Sequence, residues 1–248
     1  MFLSAAAPVL RPLIRAATGI FHLVTKPDWQ QSEKLPRAGA VIVANHISHV
    51  DPLVIGAFMV RHQVLPLFLA KASLFEVPIL GSILRGARQI PVRRQSLHAG
   101  DSLDAAAAAI EQGGCVVFYP EGTISRDPEL WPMRGKTGAA RVALRTGCPV
   151  IPIGQWGAEQ ILRGTELGVP RLCPRKRVSL RVGDPVSLDD LSGTGNQALS
   201  EATERIMAAI TGLVAELRSE SAPAVAYDPG RPDAVDDGKR NGHEKESG

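Results

Sequence analysis

The chain has 248 residues, 44% of them hydrophobic and 21% charged, with a formal net charge of +3. This length allows a sizeable buried core, and this composition excludes both general disorder and a polytopic membrane protein. Residues 219–248 carry seven acidic and four basic side chains, which leaves 24 basic and 18 acidic residues on the rest of the chain. A basic folded part favours an anionic partner, either a phosphorylated substrate, an acidic lipid surface or a nucleic acid, although a merely solvated surface has the same composition.

Residues 2–24 form an apolar segment that two arginines, Arg11 and Arg15, interrupt. No run of 18 uncharged apolar residues occurs there, which argues against a membrane-spanning helix. A secretory signal is also disfavoured, because the positive charges follow the first apolar run instead of preceding it. Two interpretations of residues 1–30 remain, an amphipathic segment lying in a membrane interface and a helix packed on the core of the domain.

Short apolar runs alternate with helical patterns from about residue 38 to residue 190. The strands that this pattern predicts cover residues 41–45, 65–70, 89–92, 115–119, 149–154 and 177–182. The predicted helices cover residues 52–60, 74–84, 101–112, 135–146 and 197–217. Such alternation predicts one α/β domain with a largely parallel mixed sheet flanked by helices, whose ligands bind at the carboxyl ends of the strands.

The last 30 residues, 219–248, are rich in Pro, Gly, Asp, Glu and Ser. Segments of this composition bury too little apolar surface to offset the entropy lost on ordering, so a disordered tail is predicted. The predicted organisation is a membrane-associating segment over residues 1–30, a domain over residues 31–218 and this tail.

A polar stretch, residues 45–51, directly follows the predicted strand 41–45. Pro52 favours a helix start, which would place Asp51 at the N-cap. The turn before it can bring the Asp51 carboxylate against the imidazole of His46, as in a general base that a carboxylate orients. Two alternatives remain on the residues alone: a helix cap beside an ordinary turn histidine, and a metal site of His46, His49 and Asp51 that lacks an obvious fourth ligand.

Two further clusters lie near the ends of predicted strands. Residues 119–123, Tyr-Pro-Glu-Gly-Thr, follow strand 115–119 and form either a substrate-binding wall at the same sheet edge or a plain surface turn. Arginines surround strand 89–92, and the guanidinium fork suits phosphate, although a solvated basic turn is equally compatible. Arg134, Lys136 and Arg141 add positive charge around the start of the predicted helix 135–146, which itself favours anions.

Several standard motifs are absent from the sequence. Lys136 follows a glycine as in a P-loop, but the first glycine of that motif would fall on Leu130. Neither G-x-S-x-G nor G-x-G-x-x-G occurs. The three cysteines form no C-x-x-C pair and are too few for a disulfide framework. Aromatic residues make up only 4% of the chain, which weighs against binding of single-stranded nucleic acid.

The polar blocks stand in a recognisable order between residues 38 and 160. Residues 45–51 match the pattern N-H-x-S-x-x-D, and residues 118–123 resemble the block F-P-E-G-T-R, with Tyr119 in the place of the phenylalanine. Residues 88–93 match a block ending in arginine, residues 136–140 a lysine-glycine stretch, and residues 150–153 a proline-containing block. In this order and spacing the chain resembles the glycerolipid acyltransferases of the lysophosphatidic acid acyltransferase type.

The resemblance implies an O-acyltransferase that moves a fatty acyl group from an acyl thioester to the free hydroxyl of lysophosphatidic acid, giving phosphatidic acid. It implies that His46 is the general base and that Asp51 steadies its imidazolium, with no covalent acyl-enzyme, metal or cofactor. The substrate-binding residues that it implies are Arg93, Glu121, Gly122, Thr123, Arg126 and Lys136.

The implied partners are a lysophospholipid, acyl-CoA or acyl carrier protein as acyl donor, and a membrane lipid surface, with no nucleic acid. The implied location is the cytoplasmic face of a bacterial cell membrane, with peripheral or monotopic attachment. The amphipathic N-terminal segment then becomes the expected membrane contact.

The chain departs from the family pattern at Ile124, where the family has arginine. Either Arg126 reaches the phosphate from a longer turn, or Arg93 and Lys136 carry that charge alone. The acceptor therefore stays open between lysophosphatidic acid, another lysophospholipid, glycerol-3-phosphate and a specialised lipid. Two other classes also remain, a metal-dependent hydrolase and a non-catalytic lipid-binding scaffold.

Overall fold

The computed structural model describes residues 18–92, 99–163 and 168–230. Most of the predicted N-terminal segment, the predicted phosphate ligand Arg93, and residues 231–248 of the predicted tail lie outside these ranges.

Seven strands occur within the described residues, and all belong to one sheet. They are β1 (Thr25–Gln30), β2 (Ala40–Ala44), β3 (Pro66–Lys71), β4 (Ile90–Val92), β5 (Cys115–Phe118), β6 (Val150–Trp156) and β7 (Lys176–Val182). Their order is β1-β7-β6-β2-β5-β3-β4. Strands β2 to β6 are mutually parallel, whereas β7 runs antiparallel to β6 and pairs in parallel with β1. The predicted mixed, largely parallel sheet is confirmed.

Helices cover both faces of this sheet. They are α1 (Asp51–Arg61), α2 (Leu80–Gly86), α3 (Ala99–Glu111), α4 (Gly138–Thr146) and α5 (Asn196–Arg218). Alternate side chains of β2 enter opposite cores: Val41 and Val43 pack with α3, α4 and α5, while Ile42 and Ala44 pack with α1. Every residue of β2 is buried, as expected for a parallel strand covered on both faces.

Strand β1 was not predicted, because it carries a proline and mainly polar residues. It lies at the edge of the sheet, where one side of the backbone needs no ladder partner and proline is tolerated. Residues 18–24 before it are helical. In this segment Phe21 packs against the core, whereas Ile20 and Leu23 are exposed. The choice between the two interpretations of residues 1–30 stays a prediction.

Two predicted helices are shorter than expected. The prediction for residues 74–84 is wrong in part, because a 3-10 turn at Ala72–Phe75 precedes α2, which begins only at Leu80. Pro78 interrupts the pattern, since proline disfavours helical geometry in the residue before it. The prediction that a helix begins at residue 135 is also wrong, because the backbone N–H of Lys136 donates instead to the Pro120 carbonyl (2.8 Å) and α4 begins at Gly138.

The first part of the predicted tail lies against the domain. The backbone N–H of Arg134 donates to the Tyr227 carbonyl (3.0 Å). Just before the tail, the guanidinium of Arg218 lies 4.0 Å from the ring centre of Trp131 and 4.4 Å from that of Trp156. Tyr227 of the predicted tail thus contacts the loop after β5, and disorder of residues 231–248 stays a prediction. Within the described ranges, every helix is too short or too polar to span a bilayer.

Candidate active site

The loops after β2 and β5 leave the sheet side by side. These strands are parallel neighbours, with Val43 opposite Phe118, so both chains emerge at the same edge. The backbone of His46 joins the two loops: its N–H donates to Glu121 Oε1 (2.7 Å), and its carbonyl accepts from the N–H of Ser125 (2.7 Å). The carboxyl edge therefore brings the two predicted polar blocks into direct contact.

The imidazole of His46 and the carboxylate of Asp51 form the hydrogen bond that the spacing predicts. His46 Nδ1 lies 2.8 Å from Asp51 Oδ2. The same oxygen accepts from the backbone N–H groups of Ile47 (2.6 Å) and Ser48 (2.8 Å). An ionised Asp51 carboxylate can only accept, so it selects the His46 tautomer with the proton on Nδ1 and the lone pair on Nε2.

The predicted N-cap role of Asp51 is wrong. Helix α1 begins at Asp51 itself, after Val50 at the N-cap, and no side chain caps it. The carboxylate points back to the preceding turn, where it binds the N–H groups of Ile47 and Ser48. Asp51 therefore stabilises the turn that carries His46 instead of the orphan N–H groups of the helix.

Burial differs across the pair. The Asp51 side chain is fully buried, whereas the His46 side chain is 17% exposed. Burial raises the pKa of the Asp51 carboxyl above its ordinary value, and the hydrogen bonds from His46, Ser48 and Ile47 act in the opposite direction. A base with one nitrogen anchored inside and the ring edge open to a ligand suits proton transfer.

Glu121 is held by the protein on both carboxylate oxygens. Oε1 accepts from His46, and Oε2 accepts from the backbone N–H of Met133 (3.0 Å). The residue is only 3% exposed, and burial raises the pKa of its carboxyl to about 8, against the two backbone hydrogen bonds. Since both oxygens are engaged, contact of Glu121 with a substrate stays a prediction.

The predicted cations lie on the open side of the same loop. Gly122 has φ +72°, and a Cβ there would lie 2.8 Å from Lys136 Nζ, so the lysine side chain passes over this glycine. Thr123 beside it is half-buried and Arg126 is exposed. Among the described residues, no carboxylate pairs with Lys136 or Arg126, which leaves both charges available to an anion.

The side chain of Ile124 is buried inside the protein. It is 4% exposed and belongs to the core. The position that carries arginine in the family pattern therefore faces inward here. Of the predicted substrate-binding cations, Arg126 and Lys136 are described and lie in this loop. Arg134 lies there as well, but its guanidinium pairs with Asp228 (3.2 Å).

Several contacts at the site were not predicted. Asn45 and Gln155 are buried partners that join the ends of β2 and β6: Asn45 Nδ2 donates to the Gln155 carbonyl (3.0 Å), and Gln155 Nε2 donates to the Asn45 carbonyl (2.7 Å). Ser48 Oγ donates to the Leu162 carbonyl (2.6 Å). The ring of Tyr119 covers one face of the His46 imidazole. A glutamine inside the apolar run of β6 was the one visible signal.

The described part of this edge holds no cluster of metal-ligating side chains. Among residues 18–92, 99–163 and 168–230, no group of three or more His, Cys, Asp or Glu side chains is arranged to hold a metal ion. The side chain of His49 is exposed, whereas Asp51 is buried against His46.

Comparison with known proteins gives relatives that share this architecture. A family model described as Acyltransferase matches residues 26–156. The 1-acyl-sn-glycerol-3-phosphate acyltransferase BAT2 of Brassica napus is 31% identical over 140 residues, which cover 55% of this chain and 39% of the relative. The corresponding protein of Bacillus subtilis is 27% identical over 161 residues, covering 64% of this chain and 73% of the relative.

A solved structure shows the same fold. The 1-acyl-sn-glycerophosphate acyltransferase PlsC from Thermotoga maritima superimposes with a TM-score of 0.67 at 23% identity, over 87% of this chain and 82% of that one. The matched stretch spans about two fifths of the Brassica relative. The family model covers more than half of the chain, including the His46 and Glu121 loops. The chain therefore belongs to the acyltransferase family.

Proposed function

We propose that the protein transfers a fatty acyl group from an acyl thioester to the free hydroxyl of lysophosphatidic acid, giving phosphatidic acid. The observation that carries this proposal is the 2.8 Å contact between His46 Nδ1 and buried Asp51. The same sheet edge carries cations that pair with no carboxylate among the described residues. The names of the relatives from Brassica napus and Bacillus subtilis support the same reaction.

His46 acts as general base in this reaction. Nε2 takes the proton of the acceptor hydroxyl while the oxygen attacks the thioester carbonyl carbon. The tetrahedral intermediate collapses, the carbon–sulfur bond breaks, and the thiolate takes the proton back from the imidazolium. Asp51 stabilises that imidazolium while it exists. The cycle consumes no cofactor, and either CoA or acyl carrier protein can be the thiol.

Lys136, Arg126 and Arg93 bind the phosphate of the acceptor in this proposal. The first two are exposed and pair with no carboxylate among the described residues, so both are accessible to an anionic group. Gly122 admits the Lys136 side chain, because any Cβ at this position would collide with it. Glu121 acts indirectly, by holding the backbone of His46, and Thr123 lines the same turn.

The site lies at a lipid surface in this account. Ile20 and Leu23 on the helical residues 18–24 are 61% and 72% exposed. Further exposed apolar side chains surround the carboxyl edge, either in the first turn of α1 or after β3: Leu53, Leu74, Val77, Ile79 and Leu80. We place these side chains against the cytoplasmic face of a membrane, which supplies the lipid acceptor and takes up the product.

The assay that tests this function offers the purified protein lysophosphatidic acid with acyl-CoA or acyl carrier protein thioester, in detergent micelles and in vesicles. We expect phosphatidic acid, identified by mass spectrometry, and an equal rate in EDTA. Release of free fatty acid in place of phosphatidic acid, abolished by EDTA, would instead favour a metal-dependent hydrolase. Binding to vesicles without turnover of any acceptor would favour the lipid-binding scaffold.

A second candidate is acylation of a different acceptor, which the buried Ile124 favours. With no arginine at this position, phosphate recognition depends on fewer cations than the family pattern supplies. A panel of lysophosphatidic acid, other lysophospholipids and glycerol-3-phosphate separates the two candidates. The first requires the highest kcat/KM with lysophosphatidic acid.

A further inference from the structure

Two contacts at right angles hold the His46 imidazole. In the ring plane, Nδ1 lies 2.8 Å from Asp51 Oδ2. Across the plane, the ring of Tyr119 stacks on the imidazole, with ring centres 4.3 Å apart and planes inclined by 22°. A hydrogen bond at one nitrogen leaves the imidazole free to tilt about that bond, whereas a stacked ring blocks the tilt on one side. Together the contacts fix the direction in which Nε2 points.

The position of Tyr119 is itself fixed by the fold. It directly follows β5, one residue beyond Phe118, which pairs with Val43 of β2. Its carbonyl accepts from the N–H of Gly122 (2.9 Å), which closes the turn. The phenol oxygen is buried and has no hydrogen-bond partner among the described residues. The ring, and not the hydroxyl, therefore makes the contact with His46.

An aromatic face attracts a cation more strongly than a neutral ring. During acyl transfer His46 passes from neutral imidazole to imidazolium, so contact with the electron-rich face of Tyr119 strengthens as the proton arrives. An interaction that strengthens in this way accelerates the chemical step without tightening substrate binding.

We propose that Tyr119 is a positioning residue for acyl transfer: its ring holds the imidazole of His46 against Asp51 and favours the protonated ring that forms in the reaction. This inference rests on the proposed function, in which His46 is the base. Its signature is a loss in kcat that depends on the aromatic ring and not on the hydroxyl.

The first test compares Tyr119→Leu with Tyr119→Phe, after both have been checked for folding by their melting temperatures. Leucine fills much of the space without a π face, so we expect kcat to fall about tenfold while KM for lysophosphatidic acid changes less than about twofold. Tyr119→Phe, which keeps the ring, is expected to retain most of the parent's kcat. Tyr119→Met, a second variant without a ring, behaves as the leucine variant does.

Two kinetic outcomes would overturn the proposal. One is turnover by the leucine or methionine variant at the rate of the parent. The other is an equal loss in Tyr119→Phe, which would assign the effect to the hydroxyl.

The second test needs no substrate. A proton on the imidazole that lies over an aromatic ring resonates upfield, so the Cε1 proton of His46, identified by its loss in His46→Ala, is followed by NMR. We expect it to move downfield in Tyr119→Leu and to stay in place in Tyr119→Phe. An unmoved resonance in the leucine variant overturns the stacking, whereas a parent that acylates no acceptor overturns the proposed function.

Discussion

The two sides of the candidate active site differ in how far the protein satisfies its own charges. On the inner side, the carboxylates of Asp51 and Glu121 are buried, and both accept hydrogen bonds from His46 and its neighbours. On the outer side, Lys136 and Arg126 are exposed, and no carboxylate among the described residues pairs with either. The carboxylates of the inner side already have hydrogen-bond donors from the protein, whereas the cations of the outer side have no carboxylate partner among the described residues.

We therefore expect the two sides to affect different kinetic parameters. A preorganised base stabilises the charge that develops during the reaction, so changes on the inner side are expected to lower kcat. Unpaired surface cations gain their partner only when an anion binds, so changes on the outer side are expected to raise KM. Substitutions on each side test whether kcat and KM respond in this way.

Apart from changes to His46 itself, the largest effect is expected for Asp51→Asn. The amide offers the imidazole no charge and disturbs the acceptor that His46, Ile47 and Ser48 share. We expect kcat to fall on the order of a thousandfold, with KM for lysophosphatidic acid little changed. Steady-state kinetics measure both, and a variant that loses only affinity would contradict this expectation.

Glu121→Gln is the next most damaging change. Its amide turns a donor toward either His46 or Met133, so one buried backbone N–H loses its acceptor. We expect kcat to fall about thirtyfold, since the His46 backbone then shifts. A rise in KM without a loss of kcat would show that Glu121 contacts the substrate directly, as the sequence resemblance implied.

The same variant tests the protonation of Glu121. Burial raises the pKa of this carboxyl from 4.5 to about 8, so between these values the folded protein holds a proton that the unfolded chain has released. The stabilisation is complete below pH 4.5 and is lost as the pH rises toward 8. Urea unfolding should show the free energy of unfolding of the parent declining over this window relative to Glu121→Gln. Parallel pH profiles would contradict the raised pKa.

Smaller effects are expected from the outer side. In Lys136→Ala and in Arg126→Ala, KM for lysophosphatidic acid should rise about tenfold while kcat stays within about threefold, because a charge-assisted contact to phosphate is lost. Arg61→Ala is the matched control, since this exposed arginine lies in the last turn of α1, away from the carboxyl edge. A fall in kcat without any change in KM would show that these cations act in the chemical step and not in substrate binding.

The smallest effect on turnover is expected at Arg218, which supports the loop that carries Met133. Its planar guanidinium lies over Trp131 and Trp156 and donates to the Glu129 carbonyl (2.8 Å). Arg218→Lys keeps the charge but not the plane, so we expect a loss of about 1–2 kcal/mol in unfolding free energy and less than about a threefold change in kcat.

The control for Arg218→Lys is Arg145→Lys, at an exposed arginine paired with Asp104 on the surface. Exposed pairs contribute little, so its unfolding free energy should match that of the parent. Equal losses in the two variants, measured by denaturant unfolding, would remove the special role of the two tryptophan rings.

Most of the sheet and the main site could be predicted from the sequence, because both depend on strong local patterns. Apolar runs such as Ala40–Ala44 are buried on both faces, and the polar residues His46 and Glu121 directly follow such runs. The edge strand Thr25–Gln30 escaped prediction because its pairing with β7 depends on residues about 150 positions away. The short helix α2 was overestimated because the effect of Pro78 outweighs the surrounding helical pattern.

Within the site, sequence spacing predicted proximity but not direction. It brought Asp51 to His46, yet the carboxylate turns back to the loop instead of capping α1. The stacking of Tyr119 on His46 and the pairing of Asn45 with Gln155 join residues at the ends of different strands. Local sequence patterns therefore do not predict them. Arg93 lies outside the described residues, and its role stays a prediction.

In the proposed mechanism His46, and not the neighbouring His49, is the base. The direct measurement is the initial rate of phosphatidic acid formation from lysophosphatidic acid and acyl-CoA by His46→Gln and His49→Gln, compared with the parent. His49 is exposed and is the matched control from the same loop. We expect a loss of at least about a thousandfold in His46→Gln and a rate within about twofold of the parent in His49→Gln. Turnover by His46→Gln at the rate of the parent would contradict this mechanism.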